Sequence, residues 1–191
     1  AVCAYQRKSI FWKNAIKSIE KADYKKYILI ATSTPNDYIK GIADKYTIPY
    51  YINKGEGGIT QDWNFAYSCA KTKYITIAHQ DDIYEKDYLE IVLKHITRAK
   101  HPLLFFSDYY EIRDGKKVTS NKLLKVKRIM LLPMRIKAFQ SSRWVRRRIL
   151  SLGSPICCPS VTFVTENLPE TVFENHYRAC EDWEAWKSVY N

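Results

Sequence analysis

The 191 residues carry 31 Lys and Arg against 20 Asp and Glu, a formal net charge of +11, with 46% apolar and 14% aromatic residues. This composition suits one ordinary globular domain with its own core and excludes a disordered chain. No apolar run approaches the roughly 20 residues that a membrane-spanning helix needs.

Read in chain order, Val2-Cys-Ala-Tyr5 resembles the remnant of a first strand, and residues 9–21 have a helical rhythm of Ile10, Phe11, Asn14, Ala15, Ile16 and Ile19 behind an N-capping Ser9. Tyr27-Ile-Leu-Ile-Ala31 reads as a strand covered on both faces. Residues 32–37 form a loop with Pro35 suited to a first helical turn, and a helix follows over 38–46. Ile48-Pro-Tyr-Tyr-Ile52 is expected near a sheet edge, because Pro49 cannot donate to a ladder. A Gly-rich turn (Gly55 to Gly58) precedes a helix over 60–70, a fourth strand spans 74–78 and a helix spans 87–98. After Leu103-Leu-Phe-Phe-Ser107, residues 107–118 suit a longer strand or a hairpin turning at Asp114-Gly115. Pro159-Ser-Val-Thr-Phe-Val164 reads as a strand, and Glu181-Asp182-Trp183 opens a final helix. Such alternation predicts a three-layer α/β/α arrangement around a mostly parallel sheet.

Five cysteines (Cys3, Cys69, Cys157, Cys158 and Cys180) are irregularly spaced and offer no usual zinc pairing. They read as reduced, mostly buried thiols of a cytoplasmic protein. There is no signal-peptide pattern, and the absence of an initiator Met makes an incomplete N-terminus the expectation.

The charge is unevenly placed. Between Gly115 and Thr165 stand twelve Lys or Arg and no acid, whereas the remaining residues hold 19 bases against 20 acids. Over 143–153, Arg143, Arg146 and Arg147 fall on one helical face and Val145, Ile149 and Leu152 on another, with Trp144 placed like an interfacial anchor. Leu123 to Phe139 likewise interleaves apolar and basic residues. Three readings stay open for 122–148: docking on an anionic membrane surface, an acceptor site for an acidic glycan, and a solvated helical face.

Tyr74-Ile-Thr-Ile-Ala-His-Gln-Asp81-Asp82 is an apolar run that ends in two adjacent carboxylates. An open α/β sheet puts its ligand chemistry at the C-terminal ends of its strands, and paired carboxylates suit a hard divalent cation. Solvated turn residues would have the same composition. Glu181 and Asp182 could equally complement a helix dipole.

The order of these motifs resembles the family 2 glycosyltransferases, whose fold is the GT-A fold of nucleotide-diphospho-sugar transferases. Cys3-Ala-Tyr5-Gln6-Arg7 stands where that family has Pro-Thr-Tyr-Asn-Arg. Asn53-Lys-Gly55 with Asn64, then His79-Gln80-Asp81-Asp82, Pro159-Ser160-Val-Thr-Phe163 and Glu181-Asp182-Trp183 follow in the family's order. The resemblance covers nearly the whole chain. It implies one GT-A domain over 1–191, with a nucleotide-sugar half (1–110) and an acceptor half (111–191) that holds the basic segment 115–153. It implies an inverting, metal-dependent transferase using Mn2+ or Mg2+ and acting in polysaccharide or cell-envelope glycan synthesis. Ala4, Tyr5, Arg7, Asn64, His79, Gln80 and Asp81 would contact the donor, and Asp81 and Asp82 the metal. Asp182 would be the catalytic base with Glu181 beside it, and Ser160 and Trp183 would meet a glycan or lipid-linked acceptor; Trp186 has the same sugar-stacking chemistry. The expected location is the cytoplasm, at the inner face of the membrane.

Two positions depart from the family pattern. His79 replaces the usual first Asp of the acidic motif, and Ile30-Ala31-Thr32-Ser33 lacks the carboxylate that commonly pairs with the donor's base. A sugar nucleotidylyltransferase is disfavoured by the lack of a Gly-rich basic first loop. The competing class is a non-catalytic module that binds a nucleotide sugar, an anionic surface or nucleic acid. Nucleic acid is the weakest of these, because the basic segment is interleaved with aliphatic rather than aromatic side chains.

Overall fold

The structure is a computed structural model that describes the backbone of residues 2–3 and residues 27–174, 176 and 180–189. The helix expected over 9–21 lies outside the described residues. The chain forms two compact units, the first running to Phe105 and including Thr162–Thr171, the second formed by Phe106–Val161 and the residues from Val172 onward.

In the first unit, β1 (Val2–Cys3), β2 (Ile30–Thr32), β3 (Tyr50–Ile52) and β5 (Ala78–His79) make a sheet in the order β3-β2-β1-β5, with every pairing parallel. β3 lies at its edge as Pro49 required; the proline's carbonyl accepts from Ile30 N at 2.8 Å, a contact that needs no proline N–H. The helix Asp37–Tyr46 is capped by Asn36, whose side chain accepts from Ile39 N at 2.9 Å. Pro35 therefore stands just before the cap instead of inside the first turn. Ile39, Ile42 and Ala43, at helical spacing, meet Ile28, Ile30, Ile48 and Ala78 in one apolar cluster.

The fourth strand departs from expectation. Residues 74–79 break at the buried Ile77 into β4 (Tyr74–Thr76) and β5. β4 leaves the parallel sheet and pairs antiparallel with β9 (Val161–Val164), which in turn borders β6 (Leu104–Phe106). Among the described residues the sheets are therefore fragmented, one stretch of chain serving two of them, and a single, mostly parallel central sheet is not shown. Thr76, Thr162 and Tyr88 gather their hydroxyls here: Oγ1 to Oγ1 is 2.6 Å and Tyr88 Oη to Thr162 Oγ1 is 3.1 Å. Val92 and Ile96 of the helix Tyr88–Ile96 pack with Val164.

In the second unit, β7 (Glu111–Arg113) and β8 (Lys116–Val118) pair antiparallel, so of the two expected forms the stretch takes the hairpin and not the longer strand. Both turn residues have positive φ, 48° at Asp114 and 73° at Gly115, as a two-residue turn of this hand demands. The helices Lys122–Met130, Lys137–Gln140 and Arg143–Ser151 follow, and Asn121 and Ser142 cap the first and last of them. The helix Glu181–Val189 packs on Arg143–Ser151 and buries Ala185 and Trp186. Trp186 is fully buried against Phe173, with ring centroids 6.5 Å apart, so it is a core residue and not a sugar platform. Of the described cysteines only Cys158 is buried and Cys180 is exposed, so the thiols are less buried than their residue type suggests. Among the described residues no helix is long and apolar enough to cross a membrane.

Candidate active site

Parallel pairing points β2, β3 and β5 the same way, so Ser33, Asn53 and Asp81 all follow strand C-termini at one edge of the sheet. Ala4, Tyr5 and Arg7, expected to meet a donor here, lie outside the described residues. At this edge the helix Ile59–Cys69 begins. Its N-cap is Gly58 at φ 149°, a conformation that L side chains rarely adopt.

The first turn of that helix supplies a carboxylate that the sequence reading missed. Asp62 is buried, accepts from Ser33 Oγ at 2.7 Å on one oxygen and from Asn53 Nδ2 at 3.1 Å on the other. Asn53 Oδ1 in turn accepts from Gly55 N at 3.0 Å. The stretch after β2 that lacks an acid of its own thus receives one from a helix. The available signal was an Asp in the first turn after a Gly-rich loop, which by itself reads as a helix-dipole partner.

Directly after β5, His79 to Asp82 turn, with Asp82 N donating to His79 O at 3.3 Å. The turn brings His79, Asp81 and Asp82 together: one ligand atom from each lies within 4.8 Å of the others. His79 Nδ1 stands 3.6 Å from Asp82 Oδ2. The His79 ring is stacked on Trp63, centroids 5.1 Å apart and planes 17° from parallel. Sequence alone gave no sign of that partner. Among the described residues His79 Nε2 is buried without a hydrogen-bond partner.

The electrostatics suit a cation. Burial, with some opposition from Asp81, lowers the His79 pKa and keeps the imidazole neutral, the form that ligates metal. Burial first, and the neighbouring Asp81 charge second, push Asp82 up to about 6. Two adjacent carboxylates and a neutral nitrogen fit a divalent ion as a donor set. Asn64 lies half-buried on the helix that carries Asp62 and Trp63, and Gln80 is half-buried in the acidic turn.

In the second unit Asp182 occupies the first turn of the last helix. Its Oδ1 accepts from Trp183 N at 2.7 Å, and Ser154 Oγ approaches Oδ2 at 3.5 Å. Burial raises its pKa despite the Trp183 and Ser154 hydrogen bonds and the Lys127 charge, and Glu181 adds to the rise. A half-buried carboxylate of raised basicity is a competent proton acceptor. Trp183 donates its indole N–H to Leu150 O at 2.8 Å, and Lys187 Nζ sits 4.7 Å from its ring centroid. Ser160 is buried and donates to Cys157 O at 2.7 Å.

Residues 1–152 match the family Glycosyl transferase family 2. The chain belongs to glycosyl transferase family 2. Among solved structures, S. aureus TarS 1-349 aligns over 99% of this chain and 53% of its own, with a TM-score of 0.67 at 17% identity. TarS 1-349 in complex with UDP-GlcNAc aligns with a TM-score of 0.66, also at 17% identity, over 99% and 52% of the two chains. At that identity the likeness is one of fold, and this family 2 chain spans about half the length of the TarS fragment. No curated protein matches it by sequence.

Proposed function

We propose that this family 2 chain transfers a sugar from a nucleoside-diphosphate sugar to an acceptor hydroxyl, with inversion, in the synthesis of a polysaccharide or cell-envelope glycan. The observation that carries the reading is the His79–Asp81–Asp82 group at the C-terminal end of β5, in a chain matched to this family over residues 1–152. UDP-GlcNAc in the similarly folded TarS supports a nucleotide-sugar donor.

In this reading Asp81 and Asp82, with His79 beside them, hold Mn2+ or Mg2+. When bound, such an ion would supply positive charge against that building on the leaving nucleoside diphosphate. Ala4, Tyr5, Arg7, Asn64 and Gln80 orient the donor. The Asp182 carboxylate takes the proton of the acceptor hydroxyl as its oxygen forms the new bond to the anomeric carbon. The diphosphate departs with the electrons of the old bond, from the opposite face, which inverts the configuration. Glu181 helps keep Asp182 basic, and Ser160 and Trp183 border the acceptor.

The test is calorimetric titration of UDP-GlcNAc and other nucleotide sugars, with and without manganese, followed by assay of nucleoside-diphosphate release with glycan acceptors. Saturable binding that requires the metal is expected. Binding of no nucleotide sugar in either condition would overturn the reading.

A further inference from the structure

We propose that the exposed face of residues 122–152 docks this chain on a bilayer rich in anionic phospholipid. The inference stands apart from the transfer chemistry and uses none of its residues.

The sequence supplies twelve cations from Lys116 to Arg148, ten of them within 122–152, and the structure separates those held inside the unit from those facing water. Arg128 is bound to the Asp108 carboxylate at 2.9 Å and to the carbonyls of Thr119 and Tyr109. Lys117 and Lys127 lie over the rings of Tyr110 and Tyr109. Arg146, expected on the outer face with Arg143 and Arg147, is half-buried and reaches Gln140 O at 3.4 Å. Leu152, expected on an inner face, is 68% exposed. The outward cations include Lys122, Lys125, Lys137, Arg147 and Arg148.

Large apolar side chains stand among them. On the helix Lys122–Met130, Leu124 turns inward, while Leu123, Val126 and Ile129, three residues apart, are exposed beside Lys122 and Lys125. Ile136 and Phe139 are exposed around the next short helix. On Arg143–Ser151, Ile149 and Leu150 are buried and Trp144, 74% exposed, lies on the opposite side near Arg147 and Arg148.

Water-exposed apolar groups of this size are a cost unless something covers them. Their mixture with cations, and with no acid from 115 to 165, selects the cover. A soluble polyanion would use the charges and leave the apolar groups wet. A bilayer with anionic headgroups uses both: Trp144 and the aliphatic side chains enter the acyl boundary, and the cations stay at headgroup level.

The experiment is co-sedimentation of the chain with vesicles of phosphatidylcholine alone and with about 30% phosphatidylserine, across a salt series. Binding only to the anionic vesicles, lost in high salt, is expected. Arg147→Glu with Arg148→Glu should weaken it at least ~25-fold, since each cation near such a surface is worth about fivefold. Val126→Ser with Ile129→Ser and Trp144→Ser should weaken it by about tenfold or more, because these groups enter the lipid. All five side chains are on the outer surface, so circular dichroism should be unchanged. As a reading on the parent itself, brominated lipid should quench tryptophan emission, and Trp144→Phe should remove most of the quenching. Three results would overturn the proposal. One is no binding to anionic vesicles at low salt. Another is apolar variants that bind as the parent does while inorganic polyphosphate displaces it, which marks a soluble-polyanion site. The third is self-association of the parent, abolished by the apolar variants, which marks a face covered by a second copy.

Discussion

Asp82 is the residue in which the candidate site's electrostatics can be read most directly. Its carboxyl titrates near 6 because it is partly buried beside Asp81. Between about pH 4 and pH 6 the unfolded chain has ionised this group while the folded chain still holds the proton. Folding stability from this group therefore falls as pH rises through that window, and a bound cation restores it. Manganese should accordingly bind more tightly as pH rises through about 6, with proton release visible as a buffer-dependent enthalpy in calorimetry. Asp81→Asn removes one ligand charge and one source of repulsion. It should abolish metal-dependent donor binding and let Asp82 titrate lower, though not at the ordinary value, because burial is the larger cause. Unchanged donor binding would leave Asp81 as a turn residue. Asp182 makes a separate prediction. Its raised pKa should place the acid limb of kcat above the ordinary carboxylate range, since the base must be ionised to accept a proton. Asp182→Asn should lower kcat by roughly 100-fold or more and erase that limb, with little change in donor affinity. Near-normal turnover would move the role to Glu181.

Among the elements, the helix Ile59–Cys69 does more than its sequence announced. Its first turn fastens the residues after β2 to those after β3 through the two oxygens of Asp62. Asp62→Ala removes the carboxylate that accepts from Ser33 and Asn53, leaving Asn53 Nδ2 the Glu56 carbonyl at 3.3 Å, and should cost about 2–3 kcal/mol, read from the urea midpoint, in keeping with hydrogen bonds to a carboxylate. A loss under 0.5 kcal/mol would show that water replaces the carboxylate freely. Single elements were largely legible in the sequence: the hairpin at Asp114-Gly115, the edge strand after Pro49 and the helix over 37–46 follow from local chemistry. The partition of 74–79 between two sheets was not legible, because an apolar run has the same appearance whether its neighbours are parallel or antiparallel. The inward turn of Arg146 escaped for a related reason, since helical spacing ranks faces without saying which one a neighbour covers. The acidic turn and Asp182 were singled out by motif, and their roles are proposals. Trp63 and Asp62 were missed, since stacking and long-range carboxylate bonds have no local signature.

Taken whole, the chain pairs a nearly neutral majority with one intensely basic segment, and its family membership rests on residues 1–152. Ligand linkage gives the prediction at this scale. A nucleotide sugar with manganese, at about 100 times its Kd, should raise unfolding free energy by about 2.7 kcal/mol, and manganese omission should remove the gain. Urea denaturation checks both, and a gain that persists without the metal would separate donor binding from the acidic turn. A last consequence follows from the break at Ile77. Because β4 and β5 are one stretch of chain, the turn that holds Asp81 and Asp82 is tethered to the pairing of Thr76 with Thr162. Its amides should therefore exchange with solvent in the same opening event as β4, and not as an independent surface loop would. Thr162→Val, which strips the shared hydroxyl from Thr76 and Tyr88, should speed deuterium uptake at the Asp82 amide as well as at β4. Faster uptake confined to β4 would mean that the acidic turn keeps its own clock.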